Sequence, residues 1–509
     1  MTAHLGGLGG GDDARLLPLR MDEVRVDPAL ALRIPSSLAL RREMLPFLAW
    51  QGRVHVACVD ASDGVALAMV QRSFECPVQA VPAEAESLRR LIATIHGNGR
   101  GGGAAASNGA RSGARESTEG GDASDAAGLS DQLVREAALR QASDLHVDPG
   151  PMDVRVRVRV DGVLEELRRV PTGMAASLVS RFKVLAQMDI AEKRAPQDGA
   201  YRHVLGEGRT VEVRAATLPT RFGERLTLRL LGREGRVMDL EGLGMDTGHL
   251  ATFEAALMRP HGMILLTGPT GSGKSTTLHA GVRRLLQREP LNVITVEDPV
   301  EQELEGAAQV TVDAADKTSF AKALRSILRH DPDVVMIGEV RDPETAGIAV
   351  KASLTGHLVL SSLHTNTSAG AVTRLSDMGV ERYLVASTLR LSVAQRLVRR
   401  LCVKCRVAGV MTEEEASALG RPSAAGQGCW VGAGCWYCAG RGVAGRLALF
   451  EMLPMDETWS RVVNAGAHEA DLVEEMRRRG HGLLTDDGLA KLGRGETSMA
   501  EVRGAVMWG

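Results

Sequence analysis

The sequence predicts an α/β protein of about three or four domains. Three observations carry that expectation. An apolar run, Met263 to Leu266, has the length of a buried strand and breaks into a glycine-rich turn before a helix-compatible segment, Thr276 to about Gln287. Three further apolar runs, Asn292 to Glu301, Pro332 to Asp342 and His357 to Asn366, carry acids or histidine at their ends. Elsewhere apolar and polar residues alternate perfectly, as in Val154-Arg-Val-Arg-Val-Arg-Val160, the mark of a half-buried strand.

The bulk numbers agree and exclude other classes. A chain of 509 residues at 44% hydrophobic can bury several cores, and with 3% aromatics those cores are aliphatic. Lysine plus arginine number 61 against 63 acids, a net charge of −2, so no global basic field argues for nucleic acid. No apolar run reaches the roughly 18 residues that span a bilayer. The first residues lack a basic flank followed by an apolar core, so no secretory signal is expected. Seven cysteines in so long a chain are no disulfide framework; four pair as C-x-x-C, which fits a reducing cytosol and a metal.

Residues 1–14 are glycine-rich and expected to be disordered. Residues 15–96 read as a small α/β domain, the default role of which is docking. It has a helix over Pro35–Pro46, a strand over Gly52–Asp60, helices over Asp63–Ser73 and Glu84–His96, and a strand over Val78–Val81. Cys58 and Cys76 there are expected to be buried apolar residues. Residues 97–128 are rich in Gly, Ala and Ser, bury too little to fold, and read as a flexible linker.

A second, α+β domain is expected over 129–240. Leu129–Gln141 is helical in pattern, Asp161-Gly162 is a hairpin turn signal, and a helix lies near 172–187. Val211–Arg214 and Leu226–Leu230 alternate as strands, with Arg225 and Arg229 on one face at i, i+4. Those arginines decorate a solvated face, or are held against another subunit's nucleotide.

Residues 241–509 begin with the core. Gly268-Pro269-Thr270-Gly271-Ser272-Gly273-Lys274-Ser275-Thr276 fits the phosphate-loop pattern. Gly268, Gly271 and Gly273 permit angles that turn amide N–H groups inward around an anion. Lys274 reaches the outer phosphates, the Ser275 hydroxyl can ligate Mg²⁺, and the helix that follows aims its positive end at the phosphates. Parallel α/β sheets bind ligands at the carboxyl ends of their strands, so Glu297, Glu339, His357 and His364 are expected to converge on the phosphates. No aspartate ends the second acidic strand; Glu339, one residue beyond Gly338, takes that place and can hold Mg²⁺ through water or polarise the attacking water. Cys402-Val-Lys-Cys405 and Cys435-Trp-Tyr-Cys438 have the spacing of a tetrahedral zinc site within a 402–438 subdomain, with Cys429 a substitute ligand. Four thiolates leave no open position, so that Zn²⁺ is structural. The tail from Trp459 reads as helical.

Taken together the motifs resemble the secretion ATPase superfamily, and within it the assembly motors of type II secretion and type IV pili. The resemblance rests on Ser143-Asp-Leu-His-Val-Asp-Pro149, Arg159-Val-Asp-Gly162, Glu192–Gly199, Leu218–Arg225, the phosphate loop, Glu297-Asp298, Gly338–Asp342, Thr355–His364 and Gln395–Cys402. It implies a RecA-like P-loop core, a PAS-like second domain and a ring-shaped homo-hexamer that hydrolyses ATP with Mg²⁺ between subunits. By that analogy Arg214, Arg225 and Arg229 contact the γ-phosphate side, Glu339 is the catalytic carboxylate, Glu297 helps position water or metal, and His357 and His364 sense the γ-phosphate. It also implies residence on the cytoplasmic face of the inner membrane, beside a platform protein and a membrane-anchored docking protein bound through 15–96. The alternatives are a pilus-retraction motor, for which the resemblance implies no cysteine knuckles, a DNA-uptake or conjugation translocase, and a non-hydrolysing scaffold. No direct nucleic-acid contact is expected.

Overall fold

The computed structural model describes residues 18–21, 24–96, 121–206, 209–231, 238–288, 290–312 and 319–507. The predicted disordered N-terminus and residues 97–120 of the predicted linker lie outside them. The chain divides into two compact units, residues 1–232 with 434–441, and residues 233–433 with 442–509.

The first unit opens with helices α1 (Pro28–Ala31) and α2 (Ser36–Arg42) and strands β1 (Met44–Trp50) and β2 (Arg53–Cys58). Helix α3 (Gly64–Gln71), strand β3 (Val78–Pro82) and helix α4 (Ala85–His96) follow. The predicted helix over Pro35–Pro46 stops early: Glu43 turns left-handed at φ 49°, and the apolar run after it becomes a strand. That run finds a partner, since β1 pairs antiparallel with β2 from Met44 opposite Cys58 to Trp50 opposite Arg53, and Pro46 sits at the register shift. Trp436 and Tyr437 pack on this domain's core, Trp436 edge-on to Phe47.

Helix α5 spans Gly121–Leu139, so it starts eight residues before the predicted Leu129, inside the stretch read as linker. Alanine is the best helix former, and Ala126 is already buried; small-residue composition alone was a poor guide to the boundary. Strands β4 (Asp144–Pro149), β5 (Asp153–Val160) and β6 (Val163–Pro171) come next, then α6 (Ala175–Leu185), β7 (Gln197–Gly206), β8 (Arg209–Thr220) and β9 (Gly223–Leu231). They form one antiparallel sheet in the order β6-β5-β4-β9-β8-β7. Val154, Val156, Val158 and Val160 are all buried while the arginines between them face outward, as the alternation requires.

The second unit contains α7 (Thr247–Leu257), β10 (Gly262–Thr267), α8 (Lys274–Arg288), β11 (Val293–Glu297), β12 (Ala307–Thr311), α9 (Phe320–Ile327), β13 (Val334–Ile337), α10 (Pro343–Leu354) and β14 (Leu358–Leu363). Then come α11 (Gly370–Asp377), α12 (Arg382–Thr388), β15 (Leu389–Leu401), β16 (Arg406–Val410), α13 (Glu413–Ala418), β17 (Gly428–Gly432) and β18 (Val443–Pro454). Four helices close the chain, α14 (Glu457–Asn464), α15 (Glu469–Arg478), α16 (Leu484–Gly493) and α17 (Met499–Met507). The sheet order is β12-β11-β13-β14-β10-β15-β18, parallel except for the last pair. Strands β10, β11, β13 and β14 are buried along their whole length, which explains why each reads as a continuous apolar run. Their helices carry ordinary start signals: Pro343 opens α10, and the Asp342 side chain accepts from the Thr345 N–H.

Candidate active site

The glycine-rich loop leaves β10 at its carboxyl end and enters α8 at Lys274. Gly268 has φ 144° and Gly273 φ 91°. A Cβ on Gly268 would stand 2.6 Å from the Gln395 carbonyl oxygen, and one on Gly273 would stand 2.8 Å from Gln395 Nε2. Both positions are therefore closed to side chains by angle and by space. The Thr277 hydroxyl donates to Gln395 Oε1 at 2.9 Å, so β15 supports both ends of the loop. Ser275 and Thr276 are exposed at the head of α8, where a metal or phosphate is reachable.

Lys274 is buried, and its ammonium donates to the carbonyls of Gly268 at 2.7 Å and Pro269 at 3.1 Å. Burial lowers its pKa to about 8; Glu339 pulls it back up, and the Arg396 charge pushes it down. A buried ammonium with no carboxylate in ion-pair range among the described residues is an anion-seeking group.

Glu339 follows β13. Its carboxylate accepts from His364 Nε2 at 2.8 Å and from the Arg341 guanidinium, which also reaches Asp298 at 3.2 Å. Burial works to raise the Glu339 pKa, but the hydrogen bonds from His364 and Arg341 outweigh it and hold the group below the usual carboxylate range. His364 lies just past the carboxyl end of β14, so strand tips bring Glu339 and His364 together as predicted from the sheet.

Glu297 ends β11 and is 5% exposed. It faces His279 of α8 at 2.9 Å and accepts from Thr295 at 2.7 Å and Gln309 at 3.0 Å. Burial raises its pKa and these partners lower it, with a net lowering. Glu297 is thus tied to the phosphate-loop helix rather than open to solvent.

His357 is placed elsewhere. It precedes β14, at the amino end of that strand, where its Nδ1 lies 3.0 Å from the Ala352 carbonyl. Six strand residues at about 3.3 Å each separate it from His364, roughly 20 Å. A strand points its two ends at opposite edges of a sheet, so within one chain His364 lies at the edge that carries the glycine-rich loop and His357 at the opposite edge.

The arginines of the first unit sit on its antiparallel sheet. Arg214 on β8 stands directly opposite Arg229 on β9, which stands opposite Asp144 on β4. Arg229 Nε is 3.2 Å from Asp144, and Arg225 Nε is 2.8 Å from Asp148. Arg157 also binds Asp148, at 2.7 Å. The predicted shared face of Arg225 and Arg229 exists, and the two aspartates of the 143–149 stretch hold it.

The four knuckle cysteines, Cys402, Cys405, Cys435 and Cys438, gather with all their sulfurs within 4.8 Å of one another. Cys435 and Cys438 Sγ are 3.8 Å apart, and the Cys435 N–H points at Cys438 Sγ. Four convergent thiols are the donor set of a closed tetrahedral Zn²⁺ site, so the residues fit the metal. Cys429 is not among them: it sits on β17 opposite Gly409, buried with Met411, Ala416 and Leu492, and burial raises its pKa.

Comparison with known proteins decides the family. The family model described as Type II/IV secretion system protein matches residues 120–504, and one described as an MshEN domain matches residues 15–102. The chain belongs to the Type II/IV secretion system protein family. It is 45% identical over 374 residues to the Type II secretion system protein E of Aeromonas hydrophila, covering 74% of each chain. It is 42% identical over 375 residues to the type IV pilus assembly ATPase PilB of Myxococcus xanthus, covering 73% of this chain and 66% of that one. Among solved structures the ATPase DotB of Legionella pneumophila superposes with TM-score 0.56 at 22% identity, over 75% of this chain and 96% of that chain, a likeness of fold. This secretion-family protein is therefore an ATPase, and its family implies ATP and Mg²⁺. Three residues of the site were not singled out from the sequence. His279 hides in the buried face of α8, and Gln395 and Arg396, though inside the Gln395–Cys402 block that carries the resemblance, are given no role by it; their burial against the loop is what marks them.

Proposed function

We propose that this ATPase works as a homo-hexameric ring on the cytoplasmic face of the inner membrane and powers assembly of a pseudopilus or type IV pilus. The observation that carries the catalytic part is the Glu339 carboxylate, fixed by His364 and Arg341 at the carboxyl edge of the sheet and electrostatically coupled to Lys274. In this reading the amides of 268–276 and the Lys274 ammonium bind the triphosphate. Glu339 orients the attacking water with the oxygen not taken by His364, and His364 keeps that carboxylate aimed. Ser275, and Glu339 through water, would hold Mg²⁺, which supplies neutralisation of phosphate charge. Arg214, Arg225 and Arg229 would reach a nucleotide bound to another subunit, with Asp144 setting the direction of Arg229 and Asp148 that of Arg225. Glu297 fixes the start of α8 through His279. The four cysteines would hold Zn²⁺ as a structural tie.

The assembly-motor reading is supported by identity to both secretion and pilus-assembly relatives and by the gathered cysteines. The partners are then an inner-membrane platform protein and a membrane-anchored protein docked on residues 15–96. Among the described residues no helix is long and apolar enough to cross a membrane, so attachment would be peripheral. The test is Glu339→Gln in the full-length chain. It should retain ATP, form rings by light scattering, and turn over about 10²–10⁴-fold more slowly. Wild-type turnover in that variant removes Glu339 from the mechanism, and a monomer with bound ATP beside membrane fractions removes the ring.

A further inference from the structure

Arg396 lies on β15 and is 5% exposed. Its Nη1 donates to the Gln395 carbonyl at 3.1 Å, and its Nη2 donates to the Asn366 carbonyl at 2.9 Å and faces Asn366 Oδ1 at 3.3 Å. All of these partners are neutral. Among the described residues no carboxylate lies within ion-pair distance of it. The same Nη1 would stand 3.2 Å from a Cβ on Gly268, so the guanidinium is pressed against the first glycine of the phosphate loop.

Two cations, Lys274 and Arg396, are thus buried around one loop, close enough that Arg396 disfavours the charge on Lys274. Burial opposes the Arg396 charge and the buried Glu451 carboxylate, beyond ion-pair distance, favours it in part; burying two charges of like sign costs more than burying one. Such an arrangement is offset when an anion of matching charge arrives. Hydrogen bonding to carbonyls explains the orientation of the Arg396 side chain; a neutral amide would make such bonds without the cost of burying a charge.

We propose that Arg396 is a second cation of the phosphate site, which attracts the nucleotide's phosphates from behind the glycine-rich loop and favours triphosphate over diphosphate. The inference rests on reading residues 268–276 as that site. It places Arg396 as a positioning charge: the loop backbone stands between it and the ligand, so its effect is through the field and through the seating of the loop after β14.

The experiment titrates the full-length chain with a fluorescent non-hydrolysable ATP analogue and with the matching ADP analogue. Arg396→Gln should weaken the triphosphate about tenfold or more and the diphosphate less. Arg396→Lys keeps the charge and loses the planar fork, and should stay within about threefold of wild type. Equal affinities for wild type and Arg396→Gln overturn the inference, as does a folded Arg396→Lys that loses as much as Arg396→Gln, because that makes the fork an anchor only. If Arg396→Gln fails to fold by circular dichroism, the lysine variant decides by the same threshold. A wild-type chain that binds neither analogue overturns the phosphate-site reading itself, and this inference with it.

Discussion

The imidazole Nε2 of His364 donates to the Glu339 carboxylate at 2.8 Å, joining residues just beyond the tips of two neighbouring parallel strands. The pair is half open to solvent on the histidine side and enclosed on the glutamate side. The contact ties the Glu339 carboxylate to the segment that runs on to Asn366, whose carbonyl accepts from Arg396.

Removing that donor should shift the pH dependence of turnover. In the proposed mechanism Glu339 works as the carboxylate, above its pKa; burial acts to raise that pKa, and His364 and Arg341 hold it low. In His364→Ala one lowering partner is gone, so the pKa rises and the acid limb of the rate profile moves to higher pH. Steady-state ATPase rates across the acid range check this; an unmoved limb means that His364 does not set the carboxylate.

Lys274 gives an alkaline counterpart. With a pKa of about 8, its ammonium is present below that pH and lost above it. The affinity of the nucleotide-free protein for ATP should hold steady up to about pH 8 and then fall by up to about tenfold per unit. Lys274→Arg, charged throughout, should flatten that dependence even if it binds more weakly. Equilibrium titrations at fixed ionic strength read both.

His357 and His364 should part company. His357→Ala, at the far end of β14, should leave ATP affinity within about twofold of wild type, since substitutions away from a site move it little. Nucleotide titration of the two alanine variants side by side decides; equal losses would return His357 to the phosphates, through another subunit.

The cysteine cluster predicts about one zinc per chain, all four positions being thiolates. Elemental analysis of the purified protein should find it, and the paired change Cys435→Ser with Cys438→Ser should abolish it. The same variant should unfold at lower temperature, because metal binding contributes directly to folding. Cys429→Ser should keep the metal.

What could be read from the chain alone follows from how local each requirement is. The phosphate loop was legible because its glycines, lysine and hydroxyl must be neighbours in sequence. The zinc knuckles were legible for the same reason. The face shared by Arg225 and Arg229 was legible from alternation, but their aspartate partners were not, because cross-strand register joins residues eighty positions apart. The predicted helix over Pro35–Pro46 takes in the first residues of the strand Met44–Trp50 because pairing with β2 is what makes that run a strand. That His357 and His364 lie at opposite edges was not legible, because a motif written in one line spans the whole strand between them. Arg396 and His279 were missed because burial of a charged or polar side chain is a tertiary fact.

Strand β15 runs without a break from Leu389 to Leu401, bordering β10 in its first half and β18 along most of its length. Gln395 and Arg396 stand midway along it, and Cys402 is the next residue after its end. One strand, with a register shift between Arg399 and Leu401, thus carries the residues that abut the glycine-rich loop at its centre and the first of the four gathered cysteines just past its tip, about 20 Å away. Gln395, which lies against the glycine-rich loop at Gly268 and Gly273 and accepts from Thr277, and Cys402 are therefore carried on one continuous run of backbone.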